Sequence, residues 1–251
     1  MQSDKQSARW PYPFWIAHRG AGKLAPENTL AAFRQGASFG YRMFECDARL
    51  SADGVLVLLH DDELDRTTNG KGLAGEQTWA ELSQLDAGSW YSRLWAGEPI
   101  PTLRNVLHWC TTNHYAINIE IKPTPGTEAA TGKAVAKLLK KVWPAYLKAP
   151  LLSSFQPEAL AAAAEAAPHL PRALLLDELP DDFFKTAQKL HCHAIVCRHP
   201  LWNKKTIKAV HEKGMAALSH TVNDEDSAER LIKLGIDGII TDRVDFFTPI
   251  V

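Results

Sequence analysis

No apolar run in the 251-residue chain approaches the length needed to span a bilayer, and stretches such as Val55–Leu59 are only strand-sized. The first ten residues, Met1 to Trp10, are polar and lack the apolar centre of a secretory signal. There is no excess of basic charge: the formal net charge is −1 and no cluster of Lys and Arg stands out. Nucleic acid and anionic membrane surfaces are therefore poor partners. Only four cysteines occur (Cys46, Cys110, Cys192, Cys197), scattered without a paired framework, which suits reduced thiols and a cytoplasmic location. Internal repeats and low-complexity linkers are lacking as well.

What the chain does have is rhythm. Apolar residues make up 45% and charged residues 23%, enough to build a core in one large α/β domain. Strands are expected at Phe14–Ala17, Met43–Leu50, Val55–Leu59, Ala116–Ile121, Leu151–Ser153, Arg172–Leu176, Ala194–Cys197, Ala216–Ser219 and Gly238–Ile240. Helical patterns lie between them at Thr29–Phe39, Leu103–Thr111, Thr127–Val142, Pro157–Ala166, Asp182–Leu190, Lys204–Lys213 and Asp224–Leu234. Alternation of buried strands with helices indicates a parallel sheet. Counting Met43–Leu50 and Val55–Leu59 as one extended or hairpin unit leaves eight strand–helix repeats, which favours a closed (β/α)8 TIM barrel over residues 1–251.

Asp61 to Pro101 breaks the rhythm with Gly, Trp and turn residues. Since it follows the second strand unit, it should rise above the C-terminal rim as an inserted cap, and loops of this length are usually functional. Trp79, Trp90 and Trp95 suggest that it packs as a small unit of its own.

Charged residues crowd the strand ends. Positions two apart on a strand share a face, about 7 Å apart, so Glu45 and Asp47 point together and Cys46 points away. Two carboxylates facing a barrel interior drive each other toward protonation unless a cation lies between them. On another strand Ile117, Ile119 and Ile121 form one face, and Asn118, Glu120 and Lys122 the other. Glu120 supplies a third oxygen donor. Three carboxylates without thiolate or paired imidazole favour a hard ion, Mg²⁺ or Ca²⁺. Lys122 suits either an ion pair with Glu120 or a phosphate oxygen. His18 and His60 each close an apolar strand, and together they could trade protons near neutrality. Arg19 would clamp a phosphate through its forked guanidinium.

Two rival patterns carry less weight. Gly20-Ala21-Gly22-Lys23-Leu24-Ala25 fits a dinucleotide fingerprint, with Glu45 as its downstream acid, but Pro26, the preceding His18-Arg19 and the second carboxylate Asp47 speak against it. His191, Cys192, His193, Cys197 and His199 have zinc-binding side chains at a spacing that fits no closed structural site; core and rim positions suit them better, with His199 close enough to the rim to touch substrate.

The string His18-Arg19-Gly20, Pro26-Glu27-Asn28-Thr29, Glu45-Cys46-Asp47, His60-Asp61, Arg66-Thr67-Thr68-Asn69-Gly70 and Glu120-Ile121-Lys122 resembles the glycerophosphodiester phosphodiesterase family. The likeness continues through Ser153-Ser154-Phe155, Thr221-Val222-Asn223 and Gly235 to Asp242. Among members the chain is most similar to the cytoplasmic bacterial enzymes that work beside glycerol 3-phosphate uptake. The resemblance implies a TIM barrel with an insertion after the second strand. It implies one divalent ion on Glu45, Asp47 and Glu120, His18 and His60 as the acid/base pair, Arg19 and Lys122 on the phosphate, and Phe155 lining the glycerol pocket. Glu27 and Asn28 fall near the site by resemblance, although helix-start capping would also explain them.

The implied reaction is hydrolysis of a small glycerophosphodiester, such as glycerophosphocholine or glycerophosphoethanolamine, to sn-glycerol 3-phosphate and an alcohol. The attacking group, a water or the substrate's own 2-hydroxyl, is left open, as is the choice between monomer and homodimer. A related barrel phosphodiesterase acting on phospholipid head groups and a non-catalytic binding protein are the alternatives. Two departures from the family pattern, His220 before Thr221-Val222-Asn223 and Arg243-Val244 after Asp242, fall on the later rim and bear on the pocket wall.

Overall fold

The structure, a computed structural model, describes residues 9–249. The reading of Met1 to Trp10 as lacking a signal falls mostly on residues outside that range. Among the described residues nine strands run β1 Trp15–Ala17, β2 Met43–Leu50, β3 Leu56–Leu58, β4 Ala116–Ile121, β5 Leu151–Ser154, β6 Arg172–Leu176, β7 Ala194–Arg198, β8 Ala216–His220 and β9 Gly238–Thr241. The helices are α1 Leu30–Ser38, α2 Trp79–Leu82, α3 Leu103–Asn113, α4 Glu128–Val142, α5 Pro157–Ala166, α6 Phe183–Lys189, α7 Lys204–Glu212 and α8 Glu225–Leu234. Each expected strand and helix is present, with ends moved by at most two residues.

Eight strands are parallel, and β1 pairs with both β2 and β9, which closes the sheet into a TIM barrel. The ninth, β3, is the exception. It folds back antiparallel on β2, Ala48 opposite Leu58 and Leu50 opposite Leu56, around a turn at Ser51–Gly54. Of the two forms the sequence allowed for these runs, extended or hairpin, the chain takes the hairpin, so that β3 travels against every other strand.

Two apolar layers follow from strand alternation. Outward-facing side chains such as Phe44, Cys46, Ile117, Ile119 and Ile239 pack under the helices, while Ile16, Met43, Leu151, Val196 and Leu218 fill the barrel. Trp10 and Tyr12 join the inner layer at the base, where the Tyr12 hydroxyl donates to Ala149 O at 2.8 Å. The inner layer is a packed floor, and above it the inward positions of β2 and β4 turn polar at Glu45, Asp47, Asn118 and Glu120.

The segment between β3 and α3 has a small core of Leu64, Ala74, Leu82, Ala87 and Ile100, resting on Val57 and Leu59. The segment thus packs around a core of its own, with the tryptophans at or beyond its edge. Trp79 leans on it, Trp95 packs against the outer barrel layer, and Trp90 is exposed. Trp90 Nε1 donates to Ala87 O at 2.8 Å, which ties the indole to the surface of the segment.

Candidate active site

Glu45 and Asp47 alternate with Cys46 on β2 and face the barrel mouth; Asn118 and Glu120 do the same on β4. The parallel register sets Glu45 opposite Asn118 and Asp47 opposite Glu120. One oxygen from each of Glu45, Asp47 and Glu120 lies within 4.8 Å of the others, a spacing that could hold a metal ion. Glu45 and Asp47 are 2% and 1% exposed, so little water screens their repulsion. Burial and the neighbouring charges of Asp47 and Glu120 raise the Glu45 carboxyl well above its ordinary range. Burial, with Asp47, pushes Glu120 up to about 7, although Lys122 Nζ stands 3.4 Å from its Oε1. Asp47 goes the other way: burial opposes its charge, but Arg19, His60 and Lys122 outweigh that and keep it low.

Arg19 and Asn28 hold the two β2 carboxylates. The Arg19 amide donates to Glu45 Oε2 at 3.0 Å, and its guanidinium pairs with Glu27 at 2.8 Å. Arg19 Nε lies 3.3 Å from Asp47 Oδ2 but off the hydrogen-bond line, which leaves that N–H unpaired. Asn28 closes a two-bond ring with Asp47: its Nδ2 donates to Oδ2 at 2.8 Å and its Oδ1 accepts the Asp47 amide at 3.1 Å. Capping of α1 belongs to Thr29, whose side chain accepts the Ala32 amide. Asn28, at φ 60°, takes a left-handed backbone in order to face Asp47.

Both histidines are anchored through Nδ1 to a carboxylate. His18 follows β1, and its Nδ1 lies 2.6 Å from Asp242 Oδ1, just past β9; Nε2 is 3.7 Å from Glu45 Oε2. Asn223 Nδ2 donates to the other oxygen of Asp242 at 2.8 Å. Burial works against the Asp242 charge, but the bonds from His18 and Asn223 bring its carboxyl down to about 2.

His60 Nδ1 lies 2.6 Å from Asp61 Oδ1. It follows the antiparallel strand β3 rather than a parallel strand of the barrel. The return strand β3 carries it back to the level of the carboxylates, where the Leu59 amide donates to Asp47 O at 3.1 Å. Arg49, buried at the top of β2, fastens this return by donating to Leu59 O at 3.2 Å and His60 O at 2.7 Å. Burial lowers the affinity of His60 for a proton, as do Arg19 and Lys122, while Asp47 pulls the other way. Arg66 forks onto Asp61 and Glu27 from outside.

Phe155, just past β5, meets His220 at the end of β8 edge to face, ring centres 6.0 Å apart. His18, Arg19, Glu45, Asp47, Glu120, Lys122, His60 and Phe155 thus all stand at the mouth end of the barrel. Sequence reasoning gave no role to Asp242, Asn223, Arg49 or Arg66. The signal for Asp61 was present, since it directly follows His60; Asp242 is separated from His18 by almost the whole chain.

The glycines of the fingerprint have a local explanation. Gly22, at φ 57°, sits so close to Asp242 that a Cβ would fall 2.1 Å from its Cα, and α1 begins only at Leu30. The loop is packed against the end of β9 rather than opened for a pyrophosphate. The zinc-like cluster is also not assembled: Cys192 and Cys197 lie in the outer apolar layer, and the carboxylate trio is the one potential metal group among the described residues.

A profile of the glycerophosphoryl diester phosphodiesterase family matches residues 18–246. A glycerophosphodiester phosphodiesterase of Caldanaerobacter subterraneus subsp. tengcongensis is 35% identical over 234 residues, 90% of this chain and 93% of its own. The solved structure of an Oleispira antarctica phosphodiesterase, in complex with the product sn-glycerol-3-phosphate, is 35% identical, with TM-score 0.88 over 92% of this chain and 93% of that one. A glycerophosphodiester phosphodiesterase from Agrobacterium tumefaciens str. C58 is 28% identical, with TM-score 0.79 over 95% of this chain and 100% of that one. Barrel, rim chemistry and relatives agree on one enzyme class, and the chain belongs to the glycerophosphoryl diester phosphodiesterase family.

Proposed function

We propose that this protein hydrolyses small glycerophosphodiesters, such as glycerophosphocholine and glycerophosphoethanolamine, to sn-glycerol 3-phosphate and an alcohol. The observation that carries the reading is the pair of histidines, each anchored through Nδ1 to a carboxylate, beside a buried trio of acids. That arrangement leaves Nε2 of each ring for the substrate, one to take a proton from the attacking group and one to give a proton to the leaving alcohol. Asp242 and Asp61 fix the tautomer each task needs.

The residues fit a divalent cation. Glu45 Oε1 is buried without a hydrogen-bond partner, and an all-carboxylate donor set suits Mg²⁺ or Ca²⁺. Glu45, Asp47 and Glu120 would hold the ion, which would supply positive charge to offset that of a bound phosphate. Arg19 and Lys122, one on each side of the trio, bind and orient the phosphate. Phe155 walls the glycerol side, and the segment 61–101 caps the mouth and limits entry to small diesters. No described helix is long and apolar enough to cross a membrane. The four cysteines are all free and buried, in keeping with a reducing cytoplasm.

The test is turnover of glycerophosphocholine with Mg²⁺ or Ca²⁺, with EDTA, and in Glu45→Gln. We expect activity restored by one of the ions and lost with EDTA and in the variant. Full activity in EDTA would rule out the metal assignment, and turnover of phospholipid vesicles instead of the small diester would favour the head-group reading.

A further inference from the structure

We propose that Arg66, in the inserted segment, is a positioning residue that sets His60 and Arg19 in register with each other; this rests on the phosphodiesterase reading above. Its guanidinium bridges two carboxylates, each by a double contact. Toward Asp61, Nε donates to Oδ2 at 2.5 Å and an Nη2 hydrogen to Oδ1 at 3.1 Å. Toward Glu27, Nη1 donates to Oε2 and Nη2 to Oε1, both at 2.8 Å. Four of its five N–H donors are thereby in use. Each of these carboxylates holds a rim residue with its remaining capacity: Asp61 binds His60 Nδ1 at 2.6 Å, and Glu27 binds Arg19 Nη1 at 2.8 Å. An unbroken chain therefore runs His60–Asp61–Arg66–Glu27–Arg19, from the imidazole of one rim element to the guanidinium of another.

Arg66 is itself held in place. It rises from a turn in which the Thr68 hydroxyl and amide both donate to Leu64 O, at 2.7 and 3.1 Å. Leu64 is buried in the core of the segment, and Thr67 and Thr68 are buried beside Arg66. The turn is anchored in this way although the Arg66 side chain is 45% exposed. An ion pair so exposed adds little to global stability, and the energetic return of this bridge lies in orientation. A lysine could not reproduce it, because an ammonium is a point donor and cannot fork two carboxylates in one plane. The insertion thus supplies the brace that joins the two halves of the site.

The experiment uses the full chain with glycerophosphocholine and compares Arg66→Gln, Arg66→Lys, Asp61→Asn, Glu27→Gln and the two doubles that pair Arg66→Gln with each carboxamide change. Both Arg66 variants should lose about 10- to 100-fold in kcat, the size seen when groups that orient a reacting residue are removed. KM should rise a few-fold, since Arg19 loses its fixed orientation toward phosphate. Melting temperature should move by no more than about 4 °C. Adding Asp61→Asn to Arg66→Gln should cost no further kcat, and adding Glu27→Gln should raise KM no further, because each pair works as one unit. In nitrogen-15 spectra of histidine-labelled protein, with the His60 signals assigned from His60→Gln, wild type should show a single Nδ1–H tautomer and Arg66→Gln a mixture. Near wild-type kcat in Arg66→Lys would overturn the proposal, as would fully additive doubles or an unchanged tautomer. A wild-type enzyme inert toward every glycerophosphodiester would instead sink the activity reading, and the tautomer spectrum would still judge the brace.

Discussion

His18 and His60 stand at one rim, each paired through Nδ1 with a carboxylate, but are supported by different parts of the molecule. His18 stands on a barrel strand: its amide donates to Thr241 O, and its ring rests on Asp242, which Asn223 holds in turn. Every partner is on a neighbouring element of the closed sheet, and His18 and Asp242 side chains are each 17% exposed. His60 is delivered by the antiparallel return of β3, fastened by Arg49, and braced from outside by Arg66 of the inserted segment. Its side chain and that of Asp61 are each 30% exposed. The contrast is between one histidine built into the scaffold and another carried on an elaboration. Scaffold positions are fixed by the fold as a whole, whereas positions on a loop depend on local packing.

The sharpest comparison is removal of each ring. His18→Ala and His60→Ala should each lower kcat by about 10²- to 10⁴-fold on glycerophosphocholine, because proton transfer needs both. Near-normal turnover in one of them would show that the two halves are not equivalent in function. The next test loosens one support only. Leu82, fully buried in the core of the segment, leaves a cavity on Leu82→Ala that should cost about 2–5 kcal/mol. Amide exchange should accelerate in residues 64–100 while β1 and β9 remain protected, and kcat should fall. Equal acceleration in both regions would mean that barrel and segment unfold as a single unit.

A third test acts on the barrel side through pH. His220, on β8, is held neutral by burial and the nearby His18, its pKa brought down to about 4 against 6.5 when unfolded. The unfolded chain therefore binds the extra proton first, and stability falls as pH drops from about 6.5 toward 4, by up to about 3 kcal/mol. His220→Phe should remove that acid-dependent loss in denaturant titrations at pH 7 and 4; an unchanged slope would refute it. Fourth, Asp242→Asn should cost about 2 kcal/mol at pH 7, since a carboxyl held near 2 stabilises the fold fully above its unfolded value and loses that contribution only as pH falls through about 2. Asp61→Asn, on the exposed half, should cost less than about 1 kcal/mol, although both should slow catalysis. The smallest effect belongs to Leu94, 91% exposed on the segment, where Leu94→Ala should change stability by less than about 0.5 kcal/mol.

Much of this site could be read from the chain because its geometry is local. The Glu45/Asp47 pair and the Asn118/Glu120/Lys122 face follow from two-residue alternation, and alternation needs no knowledge of the rest of the molecule. Asp61 beside His60 is equally local. The direction of the strand before His60 needed the fold: the pattern Val55–Leu59 reads as a strand in either direction, and apolar periodicity carries no sign of whether its neighbour is parallel. The tryptophans pointed to a segment that packs as a unit, and only the fold decided that Leu64, Leu82 and Ile100 make its core. Glu27 and Asn28 are a similar case, since their place before α1 suits capping and only the fold reveals that Thr29 caps while they face Arg19 and Asp47.

The sequence by itself determined the eightfold strand–helix order, the faces of the strands and the three inward carboxylates, all consequences of periodicity and of the cost of burying charge. Only the tertiary structure decided which groups support the chemistry. Closing the barrel between β1 and β9 brings Asp242 to His18 across 224 positions, and the folded insertion brings Arg66 to Glu27 across 39. Those pairings depend on where the chain returns in space, and no interval along it encodes that distance.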